Sequence, residues 1–199
     1  PAWLLHPLDV ELAASLYACL HLGIAAAAAA WLGRQAGISR LGQIALGAVF
    51  ALCGTSLNLV YHGSFIVAAA WLPLVWGGAL RALAGPERAR GGLVAVAAGL
   101  ALIALGGELQ AFGIGVALVL FELLRSLLAR RRNRTPGTGP QRWLAGALLA
   151  GGLLACAQVV PTIALGDAVA RSDKVTDVAR ETWPLEPPEL FAVAWPGIT

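Results

Sequence analysis

Six apolar runs separated by short polar turns make up most of the chain, at about residues 10–32, 41–59, 65–83, 91–107, 111–128 and 143–165. Each is close to the roughly 17 to 25 residues that a helix needs to cross a bilayer. The fourth and fifth runs are read apart on length. The 34 residues from Gly91 to Leu124 are broken only at Gly106-Gly107-Glu108-Leu109-Gln110, and one helix over them would be about 51 Å long. A hydrocarbon core is only about 30 Å thick, so the chain must turn near Glu108.

Within the runs, Gly47 and Ala51 have the small-xxx-small spacing that lets helices approach closely. Pro73 in the third run is expected to kink its helix. The pattern predicts an all-α fold: a polytopic integral membrane bundle of about six transmembrane helices over residues 1–165. A polar tail, residues 166–199, follows outside the membrane.

Charge then orients the bundle. The stretch 125–142 holds six basic residues, Arg125, Arg130, Arg131, Arg132, Arg134 and Arg142, between two apolar runs. Short loops rich in Lys and Arg stay on the cytoplasmic side. Arg34 and Arg40, and then Arg81, Arg88 and Arg90, mark two more inside turns by the same rule. Of the 14 basic residues, 11 fall at these three inside loops, whereas nine of the 11 acidic residues lie outside. Six spans with both ends of the chain outside satisfy this census. An Arg run can also bind nucleic acid, but apolar runs on both sides exclude that partner and make the lipid bilayer the expected one.

Composition agrees: 58% of residues are hydrophobic and 13% charged, with a mean hydropathy of +0.75, outside the range of soluble domains. The three cysteines, Cys19, Cys53 and Cys156, each sit inside an apolar run without metal or redox spacing, and are expected to be small packing residues. Pro1 at the start, the lack of any Met, and a polar end at Thr199 suggest a piece of a longer protein.

The polar side chains gather at the outer helix ends and do not form a line across the membrane. Asp9 and Glu11 precede the first span, Asn58 to Ser64 make an outer turn containing His62, and Glu108 and Gln110 make another. After the sixth span come Arg171, Ser172 and Lys174. Arg171 and Lys174 could bind phosphate, Arg by bidentate contacts and Lys as a point charge, or they could belong to a solvated surface loop. His21 is the ionisable group at membrane depth. Such a group is by default a functional candidate, against the plainer alternative of an imidazole hydrogen-bonded to a neighbouring helix. Glu122, three residues before Arg125, is expected to form an i,i+3 ion pair.

Three segments together resemble the bacterial YfhO-like family, multispanning membrane proteins similar to the GT-C class of glycosyltransferases. Residues 41–83 are similar to that family's paired spans, with a polar turn containing His62 followed by Trp71-Leu72-Pro73-Leu74. Gly107-Glu108-Leu109-Gln110 occupies the place of a Gly-His-Pro-Gln turn. Ala157-Gln158-Val159-Val160-Pro161-Thr162, then Arg171-Ser172 and Trp183-Pro184-Leu185-Glu186-Pro187-Pro188, resemble the segment after the sixth span. Glu108 and Leu109 replace the His and Pro of that turn, so no role of that His carries over.

The resemblance implies a GT-C-like transferase in the bacterial cytoplasmic (inner) membrane. It would move a sugar from a polyprenyl-phosphate donor to a cell-envelope acceptor on the outer face. Asp9 and Glu108 are then the candidate catalytic carboxylates, with the main catalytic Asp expected upstream of this piece. His62, Gln110, Arg171, Ser172 and Lys174 are the candidate substrate-binding residues. Cations or a divalent metal ion would stabilise the departing phosphate, and the sequence leaves the metal open. The competing class is a non-catalytic lipid-binding, flippase-like or scaffold membrane protein.

Overall fold

The computed structural model of the chain describes residues 9–58, 60, 63–133 and 139–166. Among these residues there are seven helices and no strand: α1 (Val10–Gln35), α2 (Arg40–Leu52), α3 (Gly54–Asn58), α4 (Gly63–Leu83), α5 (Pro86–Leu105), α6 (Leu109–Asn133) and α7 (Gly139–Gly166). Five of them, α1, α4, α5, α6 and α7, are long and apolar enough to cross a membrane. The protein is an all-α, polytopic helical bundle. Its first compact unit extends to Val159, and a second begins at Val160, where the described residues, 160–166, are the last turns of α7.

Local signals set the helix ends. The Ser39 side chain accepts a hydrogen bond from Gly42 N at 3.3 Å, capping α2, as a short hydroxyl side chain does for an otherwise unpaired donor. Pro86 opens α5, where its missing N–H is no loss. α5 closes at Gly106-Gly107, with Gly107 at φ 88° and its N–H on Ala104 O at 2.9 Å. That left-handed position suits glycine and makes the tight turn expected before Glu108. Arg34 and Arg130–Arg132 stand in the last turns of α1 and α6, where cations interact favourably with the helix dipole.

The second apolar run is not one helix. α2 is 13 residues long, about 20 Å at 1.5 Å per residue. Cys53 is extended at φ −66°, ψ 154°, and α3 starts at Gly54. Gly54, Thr55 and Ser56 have low helix propensity, and Ser56 Oγ donates to Phe50 O at 2.6 Å. That side-chain bond supplies a carbonyl that a continuing helix would have paired with backbone.

Glycines set the packing and so the direction of each helix. A Cβ on Gly47 would stand 2.6 Å from Ala26 O, while Gly33 faces Gln43 and Leu46, so α1 and α2 are antiparallel. Gly77 abuts the Trp31 ring and Leu32, a contact near the C-terminal end of both α1 and α4. These two helices therefore run parallel, and α2 with α3 carries the chain back between them. Gly92 packs on Gly78 and Ala82, Gly99 on Val75, and Gly106 on Val67, which makes α4 and α5 antiparallel. Gly115 near Leu72 and Glu122 bonded to Trp76 set α6 parallel to α4.

α7 joins through Gly151 against Leu100 and through Gln141, whose side chain donates to Ser126 Oγ at 3.1 Å. Val75, Ala79, Val96, Leu100, Ile103, Val119 and Leu144 form the buried centre, while large apolar side chains such as Leu41, Ile44, Leu149 and Leu153 face outward. An apolar exterior of this extent is what a helix bundle offers to lipid.

At Gly92 a Cβ would come within 2.6 Å of Gly78 O, whereas nothing lies within 4 Å of a Cβ at Gly146. Gly92→Leu is therefore expected to lower the melting temperature sharply in mild detergent, since overpacking of this kind costs about 1–3 kcal/mol or more. Gly146→Leu should leave it nearly unchanged. Equal melting temperatures for the two variants would contradict this packing.

Candidate functional site

The helix directions sort the charges into two ends. At one end lie the C-termini of α1, α4 and α6 and the N-termini of α2, α5 and α7. All ten described basic residues belong to it: Arg34, Arg40, Arg81, Arg88, Arg90, Arg125, Arg130, Arg131, Arg132 and Arg142. Glu87 and Glu122 are the described acids on that half. The opposite end carries Asp9, Glu11 and Glu108.

Of the candidate substrate and catalytic residues, Asp9, Glu108 and Gln110 thus share the acidic end. Asp9 is exposed before α1. Its side chain makes no cap, although its carbonyl accepts from Ala13 N at 2.8 Å. Glu108 is half-buried in the α5–α6 turn, its carbonyl accepting from Phe112 N at 3.0 Å. Gln110 is exposed in the first turn of α6. His62, Arg171, Ser172 and Lys174 lie outside the described residues. Among the described residues no group of three or more His, Cys, Asp or Glu is placed to hold a metal ion.

His21 is buried, with 2% of its surface exposed. Its Nδ1 lies 2.8 Å from Tyr17 O. A carbonyl only accepts, so Nδ1 is the donor and carries the proton. The ring centroid is 4.2 Å from that of Tyr17. The bond is to the helix's own preceding turn and not to a neighbouring helix, because an i−4 carbonyl lies within reach of a short imidazole. The cysteines differ from expectation too. Cys19 and Cys156 are exposed, and Cys53 is half-buried with its thiol 3.3 Å from Phe50 O, so two of the three are not core packing residues.

Glu122 is a buried acid, 3% exposed, with both carboxylate oxygens bonded. Its Oε1 accepts from Trp76 Nε1 at 3.0 Å, and its Oε2 accepts from Arg125 Nε and Nη2, both at 2.7 Å. The i,i+3 pair with Arg125 was expected from spacing; Trp76 was not. No local pattern links residues 46 positions apart, though an indole partly sunk into a bundle needs an acceptor for its N–H. The carboxylate thus pins α4 to α6 at the arginine-rich end. This is a structural role, with both oxygens engaged inside the bundle.

Compared with known proteins, no family model, no curated protein and no solved structure matches the chain.

Glu122→Ala would strand the Trp76 donor and release Arg125. A loss of about 1–3 kcal/mol is expected, from the lost charged hydrogen bonds and the unpaired indole N–H. In a double-mutant cycle with Trp76→Phe the two effects should be clearly non-additive. Additive effects would mean that the hydrogen bond does not hold α4 to α6.

Proposed function

We propose that the protein is a GT-C-like membrane glycosyltransferase related to the YfhO-like proteins. In this reading it lies in the bacterial cytoplasmic membrane with the arginine-rich end inside. It transfers a sugar from a polyprenyl-phosphate donor to a cell-envelope acceptor at the opposite, acidic end. One observation supports this best: all ten described basic residues lie at one end of the bundle and Asp9, Glu11 and Glu108 at the other. Basic ends remain on the cytoplasmic side, which leaves the carboxylates facing the envelope.

The chemistry needs a base and a means to hold the leaving phosphate. A carboxylate, Glu108 or Asp9, takes the proton from the acceptor hydroxyl as its oxygen bonds to the anomeric carbon. The bond from that carbon to the phosphate oxygen breaks, and polyprenyl phosphate departs. Arg171 and Lys174 neutralise its charge. His62, Gln110 and Ser172 supply hydrogen bonds to the sugar head. The polyprenyl chain rests against the apolar exterior.

The full chain, incubated in mild detergent with polyprenyl-phosphate sugars and a lipid-matched control, should retain the sugar-charged donor selectively in native mass spectrometry. Arg171→Gln with Lys174→Gln should weaken that retention at least tenfold without disturbing membrane insertion, since each charged hydrogen bond contributes about 1.5–3 kcal/mol. Unchanged donor affinity would remove these two residues from the site. Retention without any sugar transfer would favour the lipid-binding, flippase-like or scaffold class.

A further inference from the structure

α6 carries a lipid-facing stripe that ends in cations. Phe121, Leu124 and Leu128 are 57%, 56% and 56% exposed. Their spacing of three and four residues places them on one face of the helix. The same spacing continues to Arg131 and Arg132, both exposed. From Phe121 to Arg131 the rise is about 15 Å at 1.5 Å per residue. That is half of a hydrocarbon core of about 30 Å, the depth of one leaflet, and it sets the two guanidinium groups at headgroup level.

The surroundings suit a headgroup. α7 adjoins α6 here through the Gln141–Ser126 hydrogen bond, and it presents Arg142 and Trp143, both exposed. An indole at this depth sits among headgroups. Glu122, the acid nearest in sequence, is already taken on both oxygens by Trp76 and Arg125. Among the described residues, Arg131 and Arg132 have no ion pair.

We propose that Arg131 and Arg132 form a binding site for an anionic phospholipid of the leaflet on the arginine-rich side. The phosphate sits against the two guanidinium groups, whose planar forks match its oxygens. One acyl chain follows Phe121, Leu124 and Leu128 into the core. The site lies at the end opposite the proposed sugar transfer and does not depend on it.

The full chain would be equilibrated in mild detergent with equal amounts of phosphatidylglycerol and phosphatidylcholine of matched acyl chains, and bound lipid read by native mass spectrometry. Wild type should retain phosphatidylglycerol preferentially. Arg131→Gln with Arg132→Gln should lower that preference on the order of tenfold or more, because each interfacial cation contributes roughly a factor of five. Arg88→Gln with Arg90→Gln removes the same charge from α5 and should leave the preference largely in place. Equal retention of the two lipids by wild type, an unchanged preference in the first variant, or an equal loss in both variants would each overturn the proposal. A short-chain phosphatidylglycerol that binds as well as the long-chain form would overturn the role of the α6 stripe.

Discussion

Two helix backbones come within contact of each other only where a side chain is missing, and the meeting of α4 and α5 at Gly78 and Gly92 is where this bundle depends on it most. Lipid tails are as apolar as leucine, so helices in a membrane gain little from burying apolar side chains against one another. What holds them is close packing. A Cβ at Gly92 would fall within 2.6 Å of Gly78 O, and one at Gly99 within 2.6 Å of a Val75 methyl. Gly47 and Gly77 play the same part for α1 against α2 and α4. Replacing one such glycine by a branched residue forces the pair apart at that contact.

Packing of this kind also fixes direction, and direction sorts the charge. With α1, α4 and α6 parallel and α2, α5 and α7 opposed, every described arginine is brought to one end. Glu122 is buried there, bonded to Trp76 on α4 and Arg125 on its own helix. A carboxylate in such a place is tolerable because each oxygen has a partner. The other end collects Asp9, Glu11 and Glu108. A bundle polarised in this way presents a cationic face to one leaflet's phosphates and a carboxylate-bearing face to the other side.

Much of the fold was legible from the sequence because the membrane imposes length. The turn at Gly106-Gly107 follows from the excess length of residues 91–124, and the structure closes α5 there with Gly107 at φ 88°. The break at Cys53 was less legible, since the run 41–59 has the right length for one span. Gly54-Thr55-Ser56 carried the signal, but whether Ser56 bonds backward to Phe50 depends on geometry that hydropathy does not encode. The Trp76–Glu122 bond joins distant parts of the chain and could not be read from local spacing. Of the candidate site, Asp9, Glu108 and Gln110 fall at one end of the bundle, and His21 bonds within its own helix.

Orientation is the claim on which the proposed chemistry rests, and side-specific labelling tests it most directly. Cys19, Cys53 and Cys156 would be replaced by Ser, and a single cysteine introduced either as Ala36→Cys, at the arginine-rich end, or as Gln110→Cys, at the acidic end. Intact cells would then be treated with a membrane-impermeant maleimide. Gln110→Cys should label in intact cells and Ala36→Cys only after permeabilisation. Labelling of Ala36→Cys in intact cells with Gln110→Cys protected would invert the bundle and place the carboxylates in the cytoplasm. Labelling of both would contradict the two-ended arrangement itself.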